Sequence, residues 1–422
     1  MSRVYVFGSW HQGFVIAGIL ARNNFSVTCV VDSVEKLEKY GALEFPVFEP
    51  GLKELIEAGK KLNKIEFTLL SEIEITSNSI VFLSHDTKVN ERDESDLSEF
   101  ESDLEFILGL ADIEFQILIT AQVPVGTYAK IINTFSSSVL NLAERISVMP
   151  ENLRLGKALE RFQNPPLPVI GCTQNNQSFW KDFFEFTKHN LSFCSQTDAE
   201  LLKHALNSYL ALGIAFGNEI HRISNMVGAD GSLVMRLLEL EPRIGNLNPK
   251  RPGLPFFGGT LARDLVSLGN VAMNNDLNIQ VIDNVLKSNE SQKQYVLNEI
   301  VNSEVFATSN IASICVLGLT YTSQTSTLRR SPGLWLIEEL TSKGFYVNAF
   351  DPRVSHTGTN FEIFTELNQM QNNKVDCYIL VSPWESMEKD ISEFVGEELF
   401  IDIDAFLLQH NVTFPKNYIR IF

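Results

Sequence analysis

Three residues near the start of the chain have the spacing of a phosphate-binding turn. Gly8 follows the short apolar segment Val4 to Phe7, Gly13 lies just beyond it, and Asp32 ends the next apolar segment. In a dinucleotide-binding unit, glycines at such positions permit a tight turn and close packing, and the acid accepts a hydrogen bond from a ribose. The pattern predicts that Gly8, Gly13 and Asp32 bind a nicotinamide dinucleotide, NAD.

One glycine of this pattern is missing. Trp10 occupies the position at which a glycine lets the backbone approach the pyrophosphate. Two alternatives follow: a Rossmann-type fold that has lost or altered NAD binding, or one that retains it. We favour the first, so NAD is the cofactor if there is one, and we expect weak binding or none.

A second group of polar residues lies in an apolar stretch, 197–223. Lys203 and Asn207 are four residues apart, so a helix would present both on one face. From spacing alone, they are either a solvated lysine and a surface amide or two residues of a functional site. Both alternatives stay open at this point.

The stretch itself is predicted to be one long helix. Thr197 and Glu200 have the spacing of a capping box, which places the start of the helix near Asp198. Apolar residues, Tyr209 among them, recur at three- and four-residue spacing, which predicts a buried stripe. A helix of this length is about twice the usual one and is expected to bridge two domains or two subunits.

Short apolar strands alternate with helical patterns on both sides of this helix. Before it, the predicted strands are 4–7, 27–31, 79–83, 116–120 and 146–149, and after it they are 314–318, 347–350, 377–381 and 399–402. Alternating strands and helices predict doubly wound parallel sheets, whose ligands bind at the carboxyl ends of the strands. Gln122 and Glu151 lie at such ends.

Composition narrows the class of protein. The chain has 422 residues, a net charge of -18 and five scattered cysteines without a CxxC pair. The charge argues against nucleic acid or an anionic membrane as the main partner, and the cysteine pattern is typical of a reducing compartment without structural zinc. No apolar run reaches about 18 residues. We expect a soluble, cytoplasmic protein with no metal.

Ten short segments, in order, resemble the UDP-glucose/GDP-mannose dehydrogenase family. They include FEPGL at 48–52, VPVGT at 123–127, PENLRLGKAL at 150–159, AELLKHALNSYLA at 199–211, EPRIG at 241–245, FGGTLARD at 257–264 and RRSP at 329–332. The resemblance implies an α/β protein with two Rossmann-like domains joined by a long central helix and a helical dimerisation bundle. Its parts are an NAD-type domain, 1–190, a dimerisation domain, 195–300, and a UDP-sugar-type domain, 305–422.

Enzymes of this family oxidise the C6 alcohol of a nucleotide sugar to an acid, with two hydride transfers to NAD and a thioester on a cysteine. The family's cysteine loop, GGSCFPKD, is matched by the shorter Gly258 to Asp264, which has no cysteine. Leu155 stands in place of the acid that handles the hydrolytic water, and Gln122 replaces a threonine beside it. The resemblance therefore implies that covalent thioester chemistry is absent.

Other positions of the family's site are retained. Lys203, Asn207 and Asp264 match the groups that stabilise the developing oxyanion, and Glu151 matches the first acid of its motif. Lys203 and Asn207 could equally be kept for structure, for example with the lysine paired with Asp264 or Glu151.

The substrate-binding positions are a mixture of matches and replacements. Arg243, Arg329, Gly258 and Gly259 are the candidate substrate-binding residues. Thr322 replaces a lysine, and Asp402-Ile403-Asp404 replaces a DGR segment that meets the nucleotide.

The sequence thus predicts a divergent family member, a homodimer that binds a nucleotide sugar, most readily a UDP-sugar. We favour a non-catalytic or altered protein of a polysaccharide or glycoconjugate pathway. The alternative is an NAD-dependent two-electron oxidoreductase acting on a nucleotide sugar, because that reaction needs only hydride geometry and an oxyanion site. A full four-electron oxidation would need a nucleophile and a hydrolytic acid that the chain lacks.

Overall fold

The computed structural model describes residues 3–90, 93–110, 114–150, 152–187, 189–244, 252–303, 306, 311–320, 328, 330–354, 361–366, 369–370, 373–384, 386–387, 398–404, 406–409 and 415–422. The chain divides into two compact units. Unit 1 comprises Met1–Leu206 with Val266–Val271, and unit 2 comprises Asn207–Leu265 with Ala272–Phe422.

The sheet of unit 1 has eight strands in its described residues, in the order β3-β2-β1-β4-β5-β6-β7-β8. Neighbouring strands are parallel except β6 and β7, which are antiparallel. The order of the first six is that of a dinucleotide-binding fold. The strands are β1 Arg3–Phe7, β2 Ser26–Val31, β3 Ile65–Leu69, β4 Ile80–Leu83, β5 Gln116–Ile119, β6 Ile146–Val148, β7 Val169–Gly171 and β8 Ser192–Cys194.

Helices cover both faces of this sheet, which explains why its central strands are mostly apolar and why β4 is apolar at every position. Val4 and Val6 of β1 face one core, whereas Tyr5 and Phe7 face the other, because successive side chains of a strand point to opposite faces. The helices are α1 His11–Arg22, α2 Val34–Gly41, α3 Leu52–Lys61, α4 Ser98–Leu108, α5 Thr127–Phe135, α6 Leu142–Arg145, α7 Ala158–Gln163 and α8 Gln177–Phe183.

The long helix is α9, Gln196–Val227, of 32 residues. It begins before the predicted residue, since Ser195 and Asp198 form the cap: the Ser195 hydroxyl accepts from the backbone N–H of Asp198, and the Asp198 carboxylate accepts from that of Ser195. Glu200 instead accepts from the backbone N–H groups of Gly126 and Tyr128. The predicted Thr197–Glu200 cap is therefore wrong.

Further helices follow α9 in the chain. They are α10 Gly231–Leu238, α11 Thr260–Asn274 and α12 Gln280–Val301. Within unit 2, Ala211 and Ala215 of α9 pack against Leu265 of α11 and Val285 of α12. A helical central region is thus present, as predicted, although Tyr209 is 58% exposed and does not belong to a buried stripe.

The sheet of unit 2 repeats the order of strands β1 to β6 in unit 1. Its six described strands are parallel and have the order β11-β10-β9-β12-β13-β14. The elements are β9 Ser313–Leu317, α13 Pro332–Ser342, β10 Tyr346–Phe350, β11 Ile363–Phe364, β12 Cys377–Leu380, β13 Leu399–Asp402, α14 Phe406–Gln409 and β14 Asn417–Arg420. The prediction of two doubly wound parallel-sheet domains is confirmed.

None of the helices in the described part of the chain combines the length and apolar character that crossing a bilayer requires.

Candidate functional site

The predicted glycine turn joins β1 to α1. Gly8 has φ of 96°, and a Cβ atom there would lie 2.5 Å from the carbonyl carbon of Ser84 and 2.6 Å from the backbone nitrogen of His85. A Cβ at Gly13 would collide with the carbonyl oxygen of Gly8. Both positions therefore need glycine for close packing, while their role in cofactor binding stays a prediction.

Trp10 is the residue that precedes the first turn of α1. Its backbone is extended, its N–H donates to the carbonyl oxygen of Gly8 at 3.0 Å, and the residue is 39% exposed. In dinucleotide-binding proteins a pyrophosphate binds at this helix N-terminus. A bulky indole is thus attached at the point where the backbone would have to approach the phosphates.

A groove of about 320 Å³ lies at the carboxyl ends of β1, β2 and β4. Its described lining combines backbone, apolar and acidic groups: Gly8, Ser9, Val30, Val31, Asp32, Leu70, His85, Ser98, Glu99, Ser102 and Asp103. Asp32 accepts a hydrogen bond from Lys36 at 2.6 Å. Burial raises the pKa of Asp32, but the bond and charge of Lys36 outweigh it and lower the pKa. Asp32 is therefore an ionised acceptor beside the groove.

Glu49 fixes three segments of unit 1. It is buried, accepts from His11 Nε2 at 2.8 Å, and accepts from the backbone N–H groups of Gly156 and Ala158 at 2.9 and 2.8 Å. Burial raises its pKa, yet these hydrogen bonds outweigh that effect and lower it. The charge of Glu49 thus links the first turn of α1 to the loop that enters α7.

Lys203 of α9 points to that same loop. Its ammonium group donates to Oδ1 of Asn152 at 3.0 Å, and the side chain is half-buried. The next residue, His204, is buried and contacts the carbonyl oxygen of Val123 through Nε2 at 2.8 Å. Within unit 1, therefore, α9 contacts the ends of two segments that follow sheet strands, as expected for a ligand-binding edge.

Asn207, one turn further on, forms a buried pair in unit 2. Its amide donates to Oδ2 of Asp264, which is fully buried on α11. A buried carboxylate is costly without a hydrogen-bond donor, so this pair stabilises the arrangement of α9 and α11. The two residues were both predicted as site residues, and the structure brings them together.

Buried amides of unit 2 hold the described residues that precede α11. Asn289 both accepts from the N–H and donates to the carbonyl of Phe256, at 2.8 and 2.9 Å. Asn218 accepts from the N–H of Gly253 at 2.9 Å, and Gln292 donates to its carbonyl at 2.8 Å. These residues were not predicted from the sequence, because an amide at helical spacing gives no sign of its partner.

The loop ends at the start of α11. Gly258 has φ of 77° and donates its N–H to the carbonyl oxygen of Arg330 at 3.1 Å, and Gly259 is the residue before α11. Thr260, Leu261 and Ala262 form the first turn of that helix. This is the segment that matches the family's cysteine loop, and its side chains offer one hydroxyl and no thiol.

The five cysteines lie elsewhere and are all free. Burial raises the pKa of Cys29 to about 12 and that of Cys172 to about 11. Burial likewise raises the pKa of Cys194, Cys315 and Cys377 above the ordinary thiol value. The thiolate is the nucleophilic form of cysteine, so none of the five is poised for covalent catalysis.

Other predicted residues are placed as follows. Arg243 is exposed and pairs with Glu241 at 2.9 Å. Leu155 is half-buried, and the carbonyl oxygen of Gln122 accepts from the Thr87 hydroxyl at 3.0 Å. Glu151, Thr322 and Arg329 lie outside the described residues.

The acids that replace the DGR segment have structural partners. Asp402 accepts from the N–H groups of Phe406 and Leu407, and Asp404 accepts from the N–H of Leu254. Burial raises the pKa of Asp402. Asp402 thus caps the short helix α14, and Asp404 restrains the loop that precedes α11.

Within the described ranges, no group of three or more His, Cys, Asp or Glu side chains has an arrangement that could hold a metal ion.

Models of one protein family match the chain in three consecutive parts. The NAD binding domain of the UDP-glucose/GDP-mannose dehydrogenase family matches residues 2–185, its central domain matches 197–291, and its UDP binding domain matches 315–409. The chain belongs to the UDP-glucose/GDP-mannose dehydrogenase family.

Relatives of this family member share about a quarter of its residues. UDP-glucose 6-dehydrogenase of Rickettsia bellii is 29% identical over 353 residues, covering 82% of this chain and 80% of that protein. GDP-mannose 6-dehydrogenase of Pseudomonas syringae pv. tomato is 28% identical over 364 residues, covering 84% and 82%.

A solved structure shows the same fold. The UDP-glucose dehydrogenase of the archaeon Pyrobaculum islandicum superposes with a TM-score of 0.83 at 22% identity, covering 99% of this chain and 97% of that one.

Proposed function

We propose that this family member has lost the cysteine-dependent four-electron oxidation and acts as a non-catalytic nucleotide-sugar-binding protein of a cytoplasmic polysaccharide or glycoconjugate pathway. One observation carries the proposal: the first turn of α11 offers Thr260, Leu261 and Ala262 where the family has its cysteine. An alcohol is a poor nucleophile without a base in reach. The raised pKa values of the five buried or half-buried thiols support the same conclusion.

The ligand we propose is a nucleotide sugar, with a UDP-sugar preferred. The match of residues 315–409 to the family's UDP binding domain supports this choice. Arg243 and Arg329, with the loop at Gly258 and Gly259, are the proposed contacts to the phosphates and sugar, since guanidinium groups bind phosphate in a bidentate manner. The proposed domains are an NAD-type domain, 1–190, a dimerisation domain, 195–300, and a UDP-sugar-type domain, 305–422.

NAD is the proposed cofactor, but we expect weak binding or none. Gly8, Gly13 and Asp32 keep the positions of a dinucleotide-binding unit, and the match to an NAD binding domain supports them. Trp10 argues against ordinary affinity, because its Cβ and indole occupy a position where the backbone itself should reach the pyrophosphate. We therefore expect no micromolar binding of NAD.

The proposed partner of the central helix is a second copy of the chain. Tyr209, Phe216 and Ile223 are exposed on α9 at seven-residue intervals, which is the repeat of a helix seam. Leu237 and Leu240, at the end of α10 and just beyond it, are also exposed. An apolar surface of this kind marks an interaction site, and a two-fold axis would pair the seam with itself.

A thermal-shift series tests ligand binding without requiring turnover. A ligand that binds only the folded chain raises the melting temperature. We expect a rise with a UDP-sugar and none with NAD, while NADH absorbance stays flat when both are present. The Rickettsia bellii relative, assayed in parallel, is the control for reagents. A chain that no UDP-, GDP- or dTDP-sugar stabilises would contradict the proposed binding.

One observation favours a second candidate, an NAD-dependent two-electron oxidoreductase acting on a nucleotide sugar. Lys203, Asn207 and Asp264 keep the family's charged and amide groups, Asn207 is paired with buried Asp264, and Glu151 is retained in sequence. Such groups stabilise a developing oxyanion without a nucleophile. This activity would release one NADH per sugar and an aldehyde product, which distinguishes it from the non-catalytic proposal.

A further inference from the structure

A buried histidine near the end of α9 packs against several other elements of unit 2. The ring centroid of His221 lies 4.9 Å from that of Phe422, which follows β14, and 6.4 Å from that of Tyr295 on α12. A Cβ atom at Gly231, the first residue of α10, would lie 2.8 Å from the Cα atom of His221 and 3.2 Å from its Nδ1. The imidazole is therefore enclosed by α10, α12 and the segment that follows β14.

The hydrogen bonds around this ring suit its neutral form. The amide nitrogen of Asn225, one turn further along α9, lies 3.1 Å from Nε2 of His221 and donates to the Tyr295 hydroxyl at 2.7 Å. An amide nitrogen only donates, so Nε2 accepts and carries no proton. Nδ1 is buried and makes no hydrogen bond among the described residues. A proton added at Nε2 would meet an N–H group, and rotating the amide would withdraw the donor from Tyr295.

The surroundings of the ring oppose a positive charge. Burial is the largest influence on the pKa of His221 and lowers it below the ordinary value of 6.5. The Asp230 carboxylate raises the pKa by less, while Arg420 and Arg222 lower it. Charging the ring in the folded protein therefore costs free energy. The charged and titratable groups around it are Asp230 at the N-cap of α10, Arg222 on α9, Tyr295 and Glu299 on α12, and Arg420 on β14.

The segment that packs on His221 is connected to the residues that precede α11. The N–H of Phe422 donates to the carbonyl oxygen of Ile403 at 3.2 Å. The neighbouring Asp404 accepts from the N–H of Leu254 at 3.1 Å. The contact between the two rings thus helps to hold β14, the end of β13 and the residues before α11 in place.

We propose that His221 is an acid-sensitive latch of unit 2, whose protonation releases the start of α10 and the segment 417–422 from α9. The His221 latch comprises the contacts of this ring with Asn225, Gly231, Tyr295 and Phe422. Because the pKa of His221 is lowered in the folded protein, the released state binds more protons below pH 6.5. The latch is therefore complete above that pH and weakens as the pH falls through the folded value.

Hydrogen exchange of the full-length protein at about pH 7.5 and about pH 5.5 tests this inference. The results are compared as protection factors, so that the intrinsic pH dependence of exchange cancels. We expect the protection of peptides covering 228–238 and 415–422 to fall about tenfold at the lower pH, the effect of losing one buried hydrogen bond. Peptides covering β5, in unit 1, serve as the internal reference and should keep their protection. His221→Gln should abolish the difference.

The matched control is His189→Gln, which removes an exposed histidine of unit 1 and should preserve the difference. Since His221→Gln could fail to fold, Asn225→Asp provides a second variant. Its carboxylate would accept a hydrogen bond from a protonated Nε2 and stabilise the charge of the ring. This variant should keep its protection at the lower pH, and the NMR signals of His221 should titrate at a higher pH than in the wild type.

Three results would overturn the inference. They are equal protection of the wild type at both pH values, the same pH dependence in His221→Gln, and a loss of protection in Asn225→Asp that equals that of the wild type. These measurements need no ligand, so their outcome is independent of whether the chain binds a nucleotide sugar.

Discussion

Replacing Glu49 by glutamine should destabilise unit 1 far more than any exposed acid does. The buried carboxylate accepts from His11 and from the N–H groups of Gly156 and Ala158. The glutamine side chain has only one acceptor oxygen, and its NH2 group would face groups that now donate to the carboxylate. The loop from Asn152 to Ala158, which supplies the partner of Lys203, would lose its connection to α1.

The magnitude follows from these contacts. Hydrogen bonds to a charged group contribute about 1.5–3 kcal/mol each, and a buried group that is left unsatisfied costs about 1–3 kcal/mol. Because the loop can relax toward water, we expect Glu49→Gln to lower the free energy of unfolding by about 3 kcal/mol. For a unit of this size that is a fall of about 6–12 °C in melting temperature.

The pH dependence has a defined sign. The pKa of Glu49 is lowered in the folded protein, because the hydrogen bonds to its carboxylate outweigh its burial. Its stabilising contribution is therefore complete above the unfolded value of about 4.3 and is lost as the pH falls through the folded value. The variant and the wild type should differ fully at neutral pH and converge in acid.

Calorimetric unfolding at neutral pH measures the loss of stability, and hydrogen exchange of peptides covering 152–160 measures the loosening of the loop. Glu160→Gln, an exposed acid on α7, is the control and should change stability by less than about 0.5 kcal/mol. Equal melting temperatures for the two variants, or unchanged exchange in the loop, would refute the reasoning.

Three more predictions concern the helices and the turn. Asp264→Ala should cost unit 2 about 2–3 kcal/mol, since the buried Asn207 amide loses its hydrogen-bond partner; calorimetry against exposed Asp283→Ala checks this, and equal losses would contradict it. Phe216→Glu should convert a dimer to a monomer in light scattering, and a monomeric wild type would disprove the seam. Trp10→Gly should tighten NAD binding about tenfold by calorimetry; an unchanged affinity would show that the indole is not the obstacle.

The sequence predicts the inner strands of both sheets, because largely apolar runs alternating with helical patterns leave few other arrangements. It misses the strands at or near the sheet edges, β3, β7, β8, β11 and β14, which are short or partly polar. Its error at α9 has a local cause. Ser195-Gln196-Thr197-Asp198 and Thr197-Asp198-Ala199-Glu200 both fit a capping box, and the choice depends on Glu200, which binds Gly126 and Tyr128 far away in the chain. Likewise, Tyr209 fits the spacing of an apolar stripe. Helical spacing alone does not distinguish an apolar face that packs against the core from one that is exposed.

Polar pairs between residues far apart in the chain could not be predicted, because nothing in the local sequence identifies the partner. His11 and Glu49, or His85 and Asp103, meet only after the sheet has formed. Asn207 was singled out by its spacing from Lys203, whereas Asp264 was found only through a family motif. Glu49 belongs to the FEPGL segment, so the motif gave a signal for it, but its three donors did not follow from the residue type.

The central claim is that the chain lacks the catalytic nucleophile, and the formation of UDP-glucuronate tests it. Purified protein incubated with UDP-glucose and NAD, followed by mass spectrometry of the nucleotide sugars, should show unchanged UDP-glucose and no UDP-glucuronate. An aldehyde with one NADH would favour the two-electron reaction instead. UDP-glucuronate, formed at a rate that scales with protein, would contradict the account.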